Sequence, residues 1–89
     1  MTEQSLKSGY IGYEGMGKPI PLTHRQAACK ACVQYGCDEK TAGDVVMKMA
    51  KLLEHNMPHE AMLSARDAGT GLTIPRVYHL IYVLMTGEG

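Results

Sequence analysis

Phenylalanine and tryptophan are both missing from this chain of 89 residues, and its nine basic side chains are matched by nine acidic ones. The first absence takes the bulkiest apolar rings out of the core. The interior must then be built from aliphatic residues and the seven methionines, whose unbranched thioethers pack adaptably. The second absence removes any whole-molecule field that would draw the chain toward phosphate or anionic lipid. What imbalance exists is local, since residues 1–37 carry Lys7, Lys18, Arg25 and Lys30 against Glu3 and Glu14. No apolar run is long enough to cross a bilayer, and the amino terminus lacks a basic start followed by a hydrophobic block. The expectation is a cytoplasmic protein with no membrane partner. Three cysteines, an odd number, agree better with reduced thiols than with a disulfide framework. The chain also lacks a nucleophile–base–orienter set, a phosphate-cradling glycine loop followed by Lys-Ser/Thr, and a paired-carboxylate arrangement. Enzymatic activity is therefore not expected, and no cofactor is implied.

What is present reads as one domain, because two cores in so short a chain would each bury too little apolar surface. Residues 1–21 hold Gly9, Gly12, Gly15, Gly17, Pro19 and Pro21, a density that disfavours regular structure and predicts a flexible arm. Residues 22–89 read as a helical domain. Thr23-His24-Arg25-Gln26 has the form of a capping box opening a first helix that stops at Gly36. Asp38 is placed to cap a second, about Glu39 to His55, with Ala42, Val45, Val46, Met49, Leu52 and Leu53 on one face. Lys40, Asp44, Lys48 and Lys51 fall on the other face, with Asp44 and Lys48 spaced for a surface ion pair. Asn56-Met57-Pro58 breaks that helix and opens a third, about Pro58 to Ala68, with Ala61, Met62, Ala65 and Ala68 as its stripe. Gly69-Thr70-Gly71 ends it, and Thr73 caps a fourth helix, about Ile74 to Met85, where Val77, Leu80, Ile81 and Leu84 recur at helical spacing. With no two-residue alternation bounded by hairpin turns, the fold class is an all-α bundle of about four helices.

The stretch KLLEHNMPHEAMLSARDAGTGLTIPRVYHLI resembles the helix-turn-helix family, in particular its resolvase-like members. LLEHNMP is similar to the end of the family's first helix, Ala65 and Gly69 stand in its Ala-x-x-x-Gly spacing, and LTIPRVYHLI resembles its recognition helix. The segment between Gly69 and Val77 is longer than the family's tight turn. The resemblance implies a small regulatory protein that binds double-stranded DNA, with the start of the fourth helix in the major groove. Arg76 would read a base, because a guanidinium matches the two acceptors of guanine, and His79 would face outward beside it. Thr70 and Thr73 would take phosphate at the helix start, and Lys48, Lys51 and Arg66 would add backbone contacts. A homodimer would double the contacts and match two half-sites.

A protein-binding module or inhibitor explains the same chain without nucleic acid. Its anchors would be Tyr10, Tyr13, Met16 and Ile20 on the arm, together with an apolar strip left open by the bundle. The cysteines leave two readings open as well. His24, Cys29, Cys32 and Cys37 lie within fourteen residues and match the four-ligand count of a zinc site. Yet Cys29 and Cys32 fall in mid-helix, where cysteine commonly serves as a small buried apolar residue beside Ala28 and Val33. A redox CxxC would normally open a helix rather than lie inside one.

Overall fold

The structure, a computed structural model, describes residues 17–88. Four helices follow in chain order, α1 (Leu22–Gln34), α2 (Glu39–Glu54), α3 (Pro58–Asp67) and α4 (Ile74–Thr86), and no strand occurs among the described residues. This is the all-α bundle that the apolar spacing predicts.

A side-chain cap sets the start of α2, whereas the starts of α1 and α4 differ from expectation in having none. The N-cap of α2 is Asp38, whose carboxylate accepts the Thr41 amide at 3.3 Å. Hydrogen bonds from Thr41, its side chain first, hold the Asp38 carboxyl below the usual range. By contrast α1 begins at Leu22 with Pro21 as its N-cap, so Thr23 lies inside the helix and no side chain caps it. Tertiary contacts set this register. Pro19 and Pro21 restrict the chain to an extended approach, Ile20 is buried in the core, and its amide donates to Glu54 Oε2 of α2 at 2.7 Å. One step earlier, the Gly17 amide donates to the Leu53 carbonyl at 3.1 Å. Residues 17–21 are therefore tied to α2, and Ile20, expected as an anchor for a partner, is buried inside the protein's own core. The remainder of the predicted arm, with Tyr10, Tyr13 and Met16, lies outside the described residues.

Between α2 and α3 the chain turns through Asn56, a left-handed residue at φ 59°, and the Met57 amide closes back on the Leu52 carbonyl at 2.9 Å. Asparagine tolerates that conformation better than most residues. The α2–α3 pair packs closely because α3 offers two fully buried alanines, Ala61 and Ala65, to the α2 face. Helix spacing follows the size of the side chains at the contact. Ala68, expected in the same stripe, is exposed past the helix end. On the outer face of α2 the ion pair is Lys40–Asp44 at 3.5 Å, one turn earlier than the Asp44–Lys48 spacing suggested.

The core is aliphatic, but methionine supplies less of it than the missing rings suggest: Met49 alone is buried among the described residues, Met62 and Met85 pack against the core half-buried, and Met47 and Met57 are exposed. Met49 and Leu53 of α2 meet Leu80, Ile81 and Leu84 of α4, all essentially inaccessible to water. Each such side chain contributes roughly 1.5–3 kcal/mol relative to an exposed position. The chief partner of α4 is α1, and the two run antiparallel. His24 near the start of α1 bonds the Leu84 carbonyl at 2.9 Å, while Tyr35 at its end meets His79. Gly87 follows α4 in the left-handed conformation at φ 76°, pressed against the His24 ring. Among the described residues no helix is long and apolar enough to cross a membrane.

Candidate functional site

The described surface is most distinctive along α4. Its inner side, Val77, Leu80, Ile81, Val83 and Leu84, is buried. Its outer side carries Ile74, Tyr78 and Tyr82, four residues apart along one stripe, with 38%, 44% and 41% of their surface open to solvent. Other exposed apolar residues, such as Leu22 and Met47, belong to different helices. A run of three on one helix is a different matter, because an apolar stripe left in water is ordinarily covered by something.

Arg76 and His79 border this stripe, and both are organised by Tyr35, which closes the end of α1. The Arg76 guanidinium lies over the Tyr35 ring, 4.7 Å from its centroid. Such a contact is worth about 0.5–1 kcal/mol at an exposed site. His79 Nδ1 shares a hydrogen bond with the Tyr35 hydroxyl, and the two rings meet edge to face at 5.8 Å and 70°. On its other side the imidazole stacks on Tyr82, 6.5 Å between centroids and 18° apart. The sequence offers no direct sign of Tyr35 as a member of this group, since it is 44 residues from His79 and meets it only because α1 and α4 are antiparallel. The one local hint is an aromatic directly before the helix-ending Gly36.

The remaining residues expected on DNA are distributed otherwise. Thr73 is the N-cap of α4, but its side chain caps nothing and is exposed. Thr70 is engaged within its own turn, where its hydroxyl donates to the Ala65 carbonyl at 3.5 Å and accepts the Leu72 amide at 3.2 Å. Gly69 and Gly71, at φ 74° and 77°, flank it in the left-handed region. Arg66 pairs with Asp67 at 3.1 Å. Lys48 borders a groove between α2 and α3 that also holds Asp44 and Asp67, and Lys51 is exposed on α2. Arg76 and His79 share the α1–α4 side with Thr73 at its edge, whereas Lys48 and Arg66 sit beside carboxylates on α2 and α3.

Of the proposed zinc ligands, His24 stands apart from the three cysteines. His24 lies against the end of α4, while Cys29 Sγ points at the Ala42 carbonyl of α2, 4.0 Å away. Cys32 is fully buried, and burial, then a hydrogen bond with Cys37, pushes its thiol up to about 12. Burial raises Cys29 as well. Thiols kept protonated in this way are poor ligands and poor nucleophiles. Among the described residues no group of three or more His, Cys, Asp or Glu side chains is arranged to hold a metal ion. His55 and His59 stand exposed on either side of the α2–α3 turn.

Fold and surface together define a small four-helix domain with an apolar, tyrosine-rich strip on its last helix. No protein-family model matches the chain, and neither a curated protein nor a solved structure matches it.

Proposed function

We propose that this is a small regulatory protein that acts by docking the outer face of α4 onto another protein. The observation that carries this reading is the open stripe of Ile74, Tyr78 and Tyr82 on a helix whose opposite side already fills the core. Tyrosines of this kind supply a large contact area with few rotatable bonds, and interface energy concentrates in such residues. The Tyr35–His79–Tyr82 contacts hold the strip in shape before a partner arrives, which lowers the ordering cost of association. The arm residues Tyr10, Tyr13 and Met16 are a further set of anchors in the same reading. A pull-down comparing the native chain with Tyr78→Arg and Lys51→Glu tests it. Capture of a stoichiometric partner that Tyr78→Arg loses and Lys51→Glu retains is the expected result. Equal capture by all three removes α4 from the interface.

Duplex DNA is the second reading, favoured by one feature of the surface. Arg76 is exposed, α4 has no acidic residue in its first turn, and no carboxylate forms an ion pair with Arg76 among the described residues. In that case retardation of duplex fragments weakens steeply with added salt, and Arg76→Ala removes sequence preference before it removes binding. Few cations gather on this side, so the DNA reading also calls for two copies on the duplex, where the protein-docking reading does not.

A further inference from the structure

Between α1 and α4, bordered by His79, runs a groove of about 370 Å³. Its lining is Ala27, Lys30, Ala31, Gln34 and Tyr35 from one face of α1, and His79 from α4. Ala31 is itself buried in the core and Ala27 packs against it half-buried, so the apolar surface open to the groove is that of Ala27 and the Tyr35 ring.

Three polar groups on the wall can offer a hydrogen to a ligand, and no carboxylate is among its described residues. Lys30 brings an ammonium, Gln34 an amide and His79 an imidazole. A Tyr35 hydroxyl donating to His79 Nδ1 leaves the ring's hydrogen on Nε2, the atom free of that bond. The Arg76 guanidinium, 4.7 Å from the Tyr35 ring centroid, adds a second full positive charge close by. Among the described residues no ion pair neutralises Lys30 or Arg76, and Glu39 stands in the adjoining groove beyond Lys30 and Gln34. In a chain with no net charge, a set of donors that no carboxylate among the described residues compensates is a specific arrangement.

We propose that this groove binds a small organic carboxylate, its acid group held by Lys30, Gln34 and His79 and its apolar body resting on Ala27 and the Tyr35 ring. A volume near the lower end of small-ligand pockets, a partly apolar lining and a few convergent polar groups are what such a ligand requires. A single ammonium on the wall matches one negative charge, and the apolar floor favours a ligand with a hydrocarbon part over inorganic phosphate. The groove adjoins the outer stripe of α4 through His79, which stacks on Tyr82, but contains none of the three stripe residues.

Phenylacetate is a suitable probe, titrated into the full ¹⁵N-labelled chain and followed by amide shifts. Saturable shifts confined to Lys30, Gln34, Tyr35, His79 and their neighbours are expected. The neutral isostere phenylacetamide and inorganic phosphate should each bind at least tenfold more weakly. Lys30→Gln, an exposed position whose change leaves the core untouched, should weaken phenylacetate at least tenfold, whereas Lys51→Gln should not. Ala27→Leu, which fills the groove without removing a charge, should also abolish the shifts while the spectrum keeps its native dispersion. The proposal is overturned if phenylacetamide or phosphate binds as tightly as phenylacetate, if Lys30→Gln binds like the native chain, or if no saturable shift appears.

Discussion

On its inner side α4 buries Val77, Leu80, Ile81, Val83 and Leu84 almost completely, whereas on its outer side Ile74, Tyr78 and Tyr82 keep 38–44% of their surface in water. Both sides are apolar, yet only the first is accounted for by folding. The inner residues complete the core begun by Met49 and Leu53, while the outer ones lie outside that cluster, with Tyr82 stacked on His79 and bonded to Glu88 just past the helix end. Stability explains a buried apolar face and leaves an exposed one without a structural reason. That difference is why the outer side of α4 is read as a surface for another molecule.

The sharpest way to break the comparison is to truncate one residue on each side. Leu80→Ala should cost about 2–5 kcal/mol, the range for a buried leucine that leaves a cavity. Tyr78→Ala should cost under about 1 kcal/mol, since the ring lies outside the core cluster and 44% of the residue's surface stays in water. Denaturant unfolding of both variants decides the matter. Equal losses would make the outer side structural and remove the basis for docking.

The two ends of the same helix differ as well. At the carboxyl end, Gly87 has φ 76° and a Cβ placed there would stand 2.6 Å from the His24 ring. Gly69, at φ 74° before α4, has open space around it. Both alanine substitutions carry the left-handed penalty of about 1–2 kcal/mol. Gly87→Ala should exceed Gly69→Ala in a thermal melt, because the His24–Leu84 bond must also yield. Similar losses would mean that His24 moves aside freely.

At the amino end α4 lacks a side-chain cap, while α2 has one in Asp38. Asp38→Ala should lower the melting temperature by a few degrees and Thr73→Ala should leave it unchanged. The folded Asp38 carboxyl is held below its ordinary value, so its contribution is complete above that value and fades as pH falls through the lower folded one. The gap between the Asp38→Ala and native melting curves should therefore narrow in acid. A gap that persists there would point to packing rather than capping.

The smallest effect concerns the link between α1 and the strip. Tyr35→Phe keeps the ring under Arg76 but removes the hydroxyl from His79, a change of about 0.5–1.5 kcal/mol at most. Its signature is a shift of the His79 ring resonances with unfolding nearly unchanged. Unmoved resonances would show that Tyr82 alone holds the imidazole.

Helix by helix, the readable features are those decided within a turn or two. Asp38 caps α2 because its carboxylate reaches the Thr41 amide three residues on. Asn56-Met57-Pro58 breaks the chain because proline has no amide to donate, and Val77, Leu80, Ile81 and Leu84 face inward because their spacing matches the helical repeat. The Thr23 capping box has equally good local form. It was overridden because Ile20 goes into the core and Glu54 takes its amide, which starts α1 earlier. The Lys40–Asp44 pair was chosen over Asp44–Lys48 in similar fashion, with Lys48 lying along the α2–α3 groove. The candidate surface was legible only in part. Arg76 and His79 stand out in the sequence as polar residues on an apolar helix, whereas the exposure of Tyr78 and Tyr82 and the role of Tyr35 do not.

Composition and periodicity alone determined that this chain would be an all-helical domain with an aliphatic core, because the absent rings and the helical spacing of apolar residues act through neighbours along the backbone. Which apolar residues would remain outside, and which distant tyrosine would join Arg76 and His79, depended on how α1 lies against α4. That choice belongs to packing: a helix has more apolar surface than one partner can cover, and only the antiparallel docking of the two helices selects the side that stays in water.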